Sequence, residues 1–326
     1  MAVIPNLRSP DQYLTNFSFT MARDSSQFKA ANTLPSVNVQ NQSGIYRTFS
    51  SDALREVRVR PYASGTQTSA GKFEYGEGQY NARLYGLHVD LDPITMHNAA
   101  STTINIERDT TSYLTTQMLL ERENRFYNTF MKDGVWGVDK TGTDAGAAAD
   151  EFVQFDDASS DPVSTIQDAM LSVQLSSGGF MPNTIYMGRR VFNALLRHPE
   201  ILDRIRFRGG DSPAVANEQT LASVFGVSSI VVFDTVVQGA DGESAMLGDN
   251  TMLLAYVENT AGLNSPTAMA RFNWVGPNNY LTLGGSVIKM NHPLLDGTVR
   301  LEMKYADDMR VVAPVLGCFF KNVLGG

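Results

Sequence analysis

The sequence predicts an α+β protein, and three stretches carry that prediction. Residues 55–80 alternate in the manner of a β-hairpin, and residues 105–132 repeat in the manner of one long helix. Residues 181–233 run strand, helix, short helix, loop, helix, strand. Few of the residues in that last stretch are of types that perform chemistry, so it is a framework before it is anything else.

Each element has its own warrant. Residues 1–50 are rich in Asn, Ser, Thr and Gln, and Pro5, Pro10 and Pro35 interrupt them, so an extended arm leaning on other parts is expected there. Val57 and Val59 alternate with Arg58 and Arg60, while Phe73 and Tyr75 alternate with Lys72 and Glu74. The small-residue turn at 61–71 joins them. Val57, Val59, Phe73 and Tyr75 would share an apolar face, and Arg58, Arg60 and Glu74 would pair across the other. A two-stranded ribbon is marginal in water, so that face needs a support, either the body of the chain or a neighbour.

In the helix, Tyr113, Leu120 and Tyr127 recur at heptad spacing beside Leu119, Phe126 and Phe130. Glu121 and Arg125 pair at i,i+4, and Gly134 stands where a C-terminal cap belongs. Such a helix spans roughly 40 Å at 1.5 Å per residue, the length of a strut. Residues 136–160 form a Gly-, Ala- and Asp-rich connector. Asp161 and Pro162 then open a second helix, with Ile166, Met170 and Val173 on one face and a stop at Gly178 and Gly179. Residues 238–244 are an acidic break, 251–257 a buried strand, and the chain from 271 onward is mostly β.

Composition narrows the function classes. The 326 residues are 43% apolar, enough for a packed core, but only 18% charged, below the ~25% usual for soluble domains. A charge-poor exterior fits a surface covered by partners. The net charge of −8 and the lack of basic runs argue against the chain as a whole binding duplex DNA, since phosphate affinity needs clustered Lys and Arg. Cys318, the one cysteine, excludes an internal disulfide framework and cysteine zinc sites, and its apolar neighbours make it a core residue in a reducing compartment. The start of the chain lacks the pattern of a secretory signal, and no apolar run reaches the ~20 residues of a membrane span.

Catalytic patterns are sparse. His88, His97, His198 and His292 lie far apart, without metal-ligand spacing. No phosphate-binding glycine loop or nucleophile elbow occurs. Ser69 with Lys72, and Lys140 with Gly142, match two elements of serine β-lactamases, but they are placed at a hairpin tip and in a polar connector, and the third element is missing. The carboxylates at Asp156, Asp157, Asp161, Asp307 and Asp308 are expected in solvated turns and caps. No cofactor, metal site or catalytic residue is expected.

The order of the words from about 155 to 321 resembles the major capsid proteins of tailed double-stranded-DNA bacteriophages. These words are Asp161 with Pro162 and the terminal Gly-Gly; Pro182 to Ile185; Arg197 to Leu202; Leu221 to Val227; Val311 to Pro314; and Phe319 to Lys321. The resemblance implies the Hong Kong-type capsid fold: an N-terminal arm at 1–50, an extended hairpin loop at 51–85, a peripheral domain at 86–134 and 266–305, and an axial domain at 135–265 and 306–326. It further implies that Val57, Arg58, Val59, Arg60, Lys72, Phe73, Glu74 and Tyr75 form an assembly interface lying on the adjacent subunit. Loops 208–217 and 238–249 become candidates for the capsomer centre.

The implied partners are the chain itself, in pentamers and hexamers, with a portal and room for a decoration protein. The DNA would be enclosed without sequence-specific binding, and no membrane is involved. Some relatives carry about a hundred further N-terminal residues as a built-in scaffold, which implies a separate scaffolding protein here. Some form a cross-link from a hairpin-tip lysine; Lys72 is the candidate position, and a solvated charge is the expectation. The implied location is the virion, after synthesis in the bacterial cytoplasm. An encapsulin-like cargo compartment is the alternative.

Overall fold

The computed structural model describes residues 10–25, 27–48, 57, 59–68, 76–100, 105–145, 148, 150–208, 217–238, 244–258, 262, 265–276, 280, 285–292 and 294–325. In chain order its helices are α1 (Gln12–Asp24), α2 (Ala30–Thr33), α3 (Pro93–Ala100), α4 (Ile106–Phe130), α5 (Pro162–Ser177), α6 (Arg189–Arg197), α7 (Pro199–Arg208) and α8 (Glu218–Phe225). The early strands are β1 (Ser36–Val39), β2 (Ser43–Thr48), β3 (Gly76–Asn81), β4 (Arg83–Leu91), β5 (Val138–Thr143), β6 (Glu151–Val153), β7 (Thr184–Gly188) and β8 (Ser229–Phe233). The later ones are β9 (Val236–Gln238), β10 (Ser244–Met246), β11 (Thr251–Ala255), β12 (Met269–Trp274), β13 (Ser286–Asn291), β14 (Val299–Val311) and β15 (Gly317–Lys321).

A six-stranded mixed sheet runs β6-β5-β15-β11-β7-β8. Its central strands are buried on both faces, which is why they read as continuous apolar runs. Strand period two sorts their side chains. Ile185, Met187, Ile230, Val232, Leu254 and Phe320 face Ile166, Met170, Val173, Val191, Leu195, Ile201, Leu221 and Phe225 of α5 to α8. Tyr186, Val231, Phe233, Leu253 and Phe319 point the other way, onto Phe126 and Phe130 of α4. Side-chain caps start two of the helices: Asp161, where the sequence places a cap, accepts from the Ser164 amide at 2.8 Å, and Asn217 accepts from the Thr220 amide at 2.8 Å. Gly178 ends α5 in the left-handed region at φ 81°.

The second sheet is built on β14. β4 pairs antiparallel along residues 299–307, while β13 and β12 lie end to end along the opposite side, and β1 joins β12 in parallel. Val287, Leu301, Met303 and Tyr305 of this sheet meet Leu114 and Met118 of α4 and Leu14 of α1. Helix α4, 25 residues and therefore ~37 Å long, thus serves both sheets, its first half one and its last turns the other.

Three expectations need correction. The N-terminal arm holds a 13-residue helix, α1, between Pro10 and Pro35, capped by Asp11 and packed on α4. The prolines flank the helix and do not enter it. Tyr113 points to solvent and Leu114 takes the buried position, because the stripe of α4 follows the helical period and not the strict heptad. The strand expected at 56–60 is missing at the described positions: Val57, Val59 and Arg60 belong to no strand. The ribbon forms one segment earlier, where β2 pairs with β3 from Ser43↔Asn81 to Thr48↔Gly76. β4 and β14 are each one continuous strand, paired from Val299↔Leu91 to Asp307↔Arg83.

Candidate assembly surface and interior polar groups

Of the residues expected at the assembly interface, Val57, Val59 and Arg60 are described, and they stand in solvent, Val57 at 86% and Val59 at 89% exposure. Arg58, Lys72, Phe73, Glu74 and Tyr75 lie outside the described residues, as do 209–216 and 239–243 of the two candidate capsomer loops. What is visible is the base from which the loop departs. Tyr46 of β2 and Tyr80 of β3 both stack on Phe272 of β12, with ring centroids 4.9 Å apart in each case. The Tyr46 hydroxyl donates to the Val311 carbonyl at 3.2 Å, and the Asn81 amide donates to Asp308 at 2.8 Å. Residue-level reading of the sequence missed this base, because Phe272 lies far along the chain from either tyrosine.

A second exposed apolar group sits at the end of the sheet built on β14. Ile94 on α3 is 73% exposed and Leu294, in the turn after β13, is 87% exposed. The turn is held by His292, whose Nδ1 accepts from the Leu294 and Leu295 amides at 3.1 and 3.0 Å. Arg300 grips Asp90 with two bonds of 2.6 and 2.7 Å beside it. His292 is therefore a turn-forming acceptor.

Several polar groups of the interior have structural partners. His198 caps α6 and is buried; its Nε2 lies 3.1 Å from the Ser160 hydroxyl and 3.2 Å from the Asp157 carbonyl. Its Nδ1 has no hydrogen-bond partner, so the carboxylate that would orient a catalytic imidazole is missing from this Ser-His pair. Asp156 accepts from the Gly325 amide, Asp157 from Ser159, and Asp161 caps α5, as the sequence predicts for turn and cap carboxylates. Asp307 departs from that prediction. It is buried, with Arg122 at 3.4 Å and Arg125 at 2.6 Å. The match at Lys140 to Gly142 lies on inner strand β5 and not in a connector. A Cβ on Gly142 would fall 1.9 Å from the Asn322 carbonyl oxygen, which accounts for the glycine by packing alone.

Burial governs the protonation of the interior groups. It pushes the Cys318 thiol up to about 12, leaving it inert, and raises Glu123 to about 7 against the two amides it accepts from. It lowers Arg271 to about 10, helped by the positive charge of Arg122. Among the described residues no group of three or more His, Cys, Asp or Glu side chains could hold a metal ion, and no helix is long and apolar enough to cross a membrane. Residues 133–168 hold nine acids and one lysine, a net charge equal to the −8 of the whole chain.

No family model matches the sequence. The chain is 20% identical over 257 residues to the major capsid protein of Burkholderia phage BcepMu, covering 79% of each. Its structure superimposes on a phage-related protein of Bordetella bronchiseptica RB50 with a TM-score of 0.71 at 17% identity, over 98% of both chains. It matches the capsid of cyanophage P-SCSP1u with a TM-score of 0.55 at 12% identity, over 89% of this chain and 86% of that one. The SrpI encapsulin of Synechococcus elongatus PCC 7942 matches with a TM-score of 0.55 at 15% identity, over 99% and 91%. The chain has the Hong Kong-type capsid fold, an α+β architecture, and resembles the major capsid proteins of tailed double-stranded-DNA bacteriophages.

Proposed function

We propose that the chain is a major capsid protein whose copies close into an icosahedral shell of pentamers and hexamers around double-stranded phage DNA. The observation that carries this reading is the similarity to the BcepMu major capsid protein across four fifths of both chains. The exposed apolar residues at Val57, Val59, Ile94 and Leu294 support it, since single shell subunits leave apolar surface for neighbours to cover. The protein works by contact and not by turnover. The expected partners are further copies, a separate scaffolding protein, a portal and a decoration protein. The subunit is made in the bacterial cytoplasm and ends in the virion.

The DNA is held by enclosure. The stretch 133–168, with nine acids and one lysine, offers phosphate no attraction, and the chain as a whole carries −8, so attraction to DNA is not what builds the particle. The alternative, an encapsulin-like compartment, is favoured by one observation, the match to SrpI over nearly the whole chain. The contents of native particles decide between the two. Particles purified from producing cells are expected to contain nuclease-protected double-stranded DNA; particles filled with enzyme cargo and free of DNA would establish the compartment reading instead.

A further inference from the structure

We propose that Tyr46, Tyr80 and Phe272, with Gly44 and Gly78, form an anchor that aims the segment between Thr48 and Gly76, and that assembly depends on this anchor although its rings are buried within one subunit. The proposal rests on the reading of the chain as a shell subunit.

The β2–β3 ribbon places Gly44 opposite Tyr80 and Tyr46 opposite Gly78. Each tyrosine therefore faces a residue without a side chain. A Cβ on Gly44 would stand 2.5 Å from the Tyr80 hydroxyl oxygen, and a Cβ on Gly78 would come within 2.4 Å of the Tyr46 ring. The glycines are the clearance that lets both rings lie flat across the ribbon. Lying flat, they present their faces to Phe272, at interplanar angles of 29° for Tyr46 and 14° for Tyr80. Offset stacking of this kind fixes orientation as well as separation.

Polar bonds lock the same end. The Ala82 amide donates to the Gln42 carbonyl at 2.8 Å, and the Gln42 side-chain amide returns a bond to the Ala82 carbonyl at 3.1 Å. Tyr46 is tied to Val311 and Asn81 to Asp308, both on β14. On the opposite face of the ribbon, Ile45 is 55% exposed. A two-stranded ribbon cannot hold its own direction in water, so its direction comes from the stacked face. A link between subunits acts only where its geometry permits simultaneous engagement, and a misdirected one contributes nothing. Tyr46, Tyr80 and Phe272 are thus positioning residues for a contact they do not make.

The single native cysteine, Cys318, is buried, so nitroxide labels can be directed to introduced cysteines. Val59→Cys and Asp296→Cys in the full chain report the distance from the loop to the sheet built on β14 by pulsed electron resonance. Gly78→Ala and Phe272→Leu are each expected to shift or broaden that distance distribution. They should also lower the particle yield by about tenfold or more, because a link that cannot reach loses its effective concentration, while thermal unfolding stays cooperative. Tyr46→Phe keeps the ring and removes only the bond to Val311, so it should change both readouts less than Phe272→Leu does. Should Phe272→Leu fail to fold, Gly78→Ala, whose added methyl group meets a tyrosine ring and not the backbone, decides the matter. Distance distributions that overlay the parent's in the variants would overturn the anchor. So would altered distributions with undiminished particle yield. If the parent chain forms no particles, the shell reading falls, and the distance measurement still decides whether the anchor aims the loop.

Discussion

Asp307 shows how much rests on single buried charges. It lies on β14 with Arg122 and Arg125 of α4 against it, and Arg271 of β12 is buried nearby, with one bond to Ser36 at 2.7 Å. Arg122 also stacks over Tyr305 at 4.0 Å, a cation–π contact that spreads its charge over an aromatic face. Asp307→Asn keeps the shape and removes the charge, leaving the three guanidinium groups without their main counter-ion. Removing one partner of a buried ion pair costs about 3–5 kcal/mol, so urea unfolding of the soluble subunit should show a loss of that size; a loss below about 1 kcal/mol would show that solvent reaches the cluster. Glu123 makes a separate prediction. Its carboxylate accepts from the Lys29 and Ala30 amides at 2.7 and 3.0 Å, with Lys29 and Asp234 the charges acting on it. Burial raises it to about 7 from the usual 4.5, so between those pH values the folded state binds more protons than the unfolded one. Stability from this group is therefore full below about pH 4.5 and falls as pH rises through 7. Glu123→Gln should flatten the difference between pH 5 and pH 8 by an amount on the order of 2 kcal/mol; an unchanged pH slope in the variant would refute the assignment. Of these charges, the Glu121–Arg125 pair was legible at i,i+4 and is present at 3.3 Å. The link to Asp307 was not, because nothing local distinguishes a carboxylate whose partner lies across a sheet from one in a turn.

At the scale of elements, α4 joins the two halves of the molecule. Leu114 packs with the β14 sheet and Phe126 with the six-stranded sheet, about 18 Å apart along the helix. Leu114→Ala should cost about 2–5 kcal/mol and Phe126→Ala about 3–5 kcal/mol. Separated this far, the losses should add within ~0.5 kcal/mol in a single cooperative transition. Two resolved unfolding transitions would mean that the helix does not couple the sheets. The anchoring of its C-terminal end is specific: the Trp136 indole donates to the Phe130 carbonyl at 2.6 Å. The elements legible in the sequence were those whose signals are local. Asp161 and Pro162 announce α5, and the apolar runs announce β7, β8 and β11. The N-terminal arm misled because its polar composition hides a helix whose few buried positions, Leu14, Ser18 and Ala22, include a serine bonded to Thr115 of α4. The alternation at 56–60 misled for the converse reason, since alternation states a capacity to pair and not the presence of a partner.

Among the described residues, two large sheets are braced by one helix, and apolar residues stand in solvent at the loop and at the far end of the β14 sheet. This arrangement suits a subunit that meets its neighbours along its length. The α+β class and the capsid fold were both legible, because residues 155–321 carry apolar patterning, caps and breaks in an order that one architecture satisfies. The candidate interface at 57–60 and 72–75 rests on the resemblance for a physical reason: residues expected to pack on a neighbour leave no partner within their own chain to mark them. The central claim, that this chain builds a closed shell, is tested most directly by electron microscopy of the purified protein assembled alone and with the separate scaffolding protein proposed for it. The account predicts closed particles of uniform diameter with pentameric and hexameric clusters on their surface. A folded chain that stays monomeric in both arms, across salt and concentration, would contradict it.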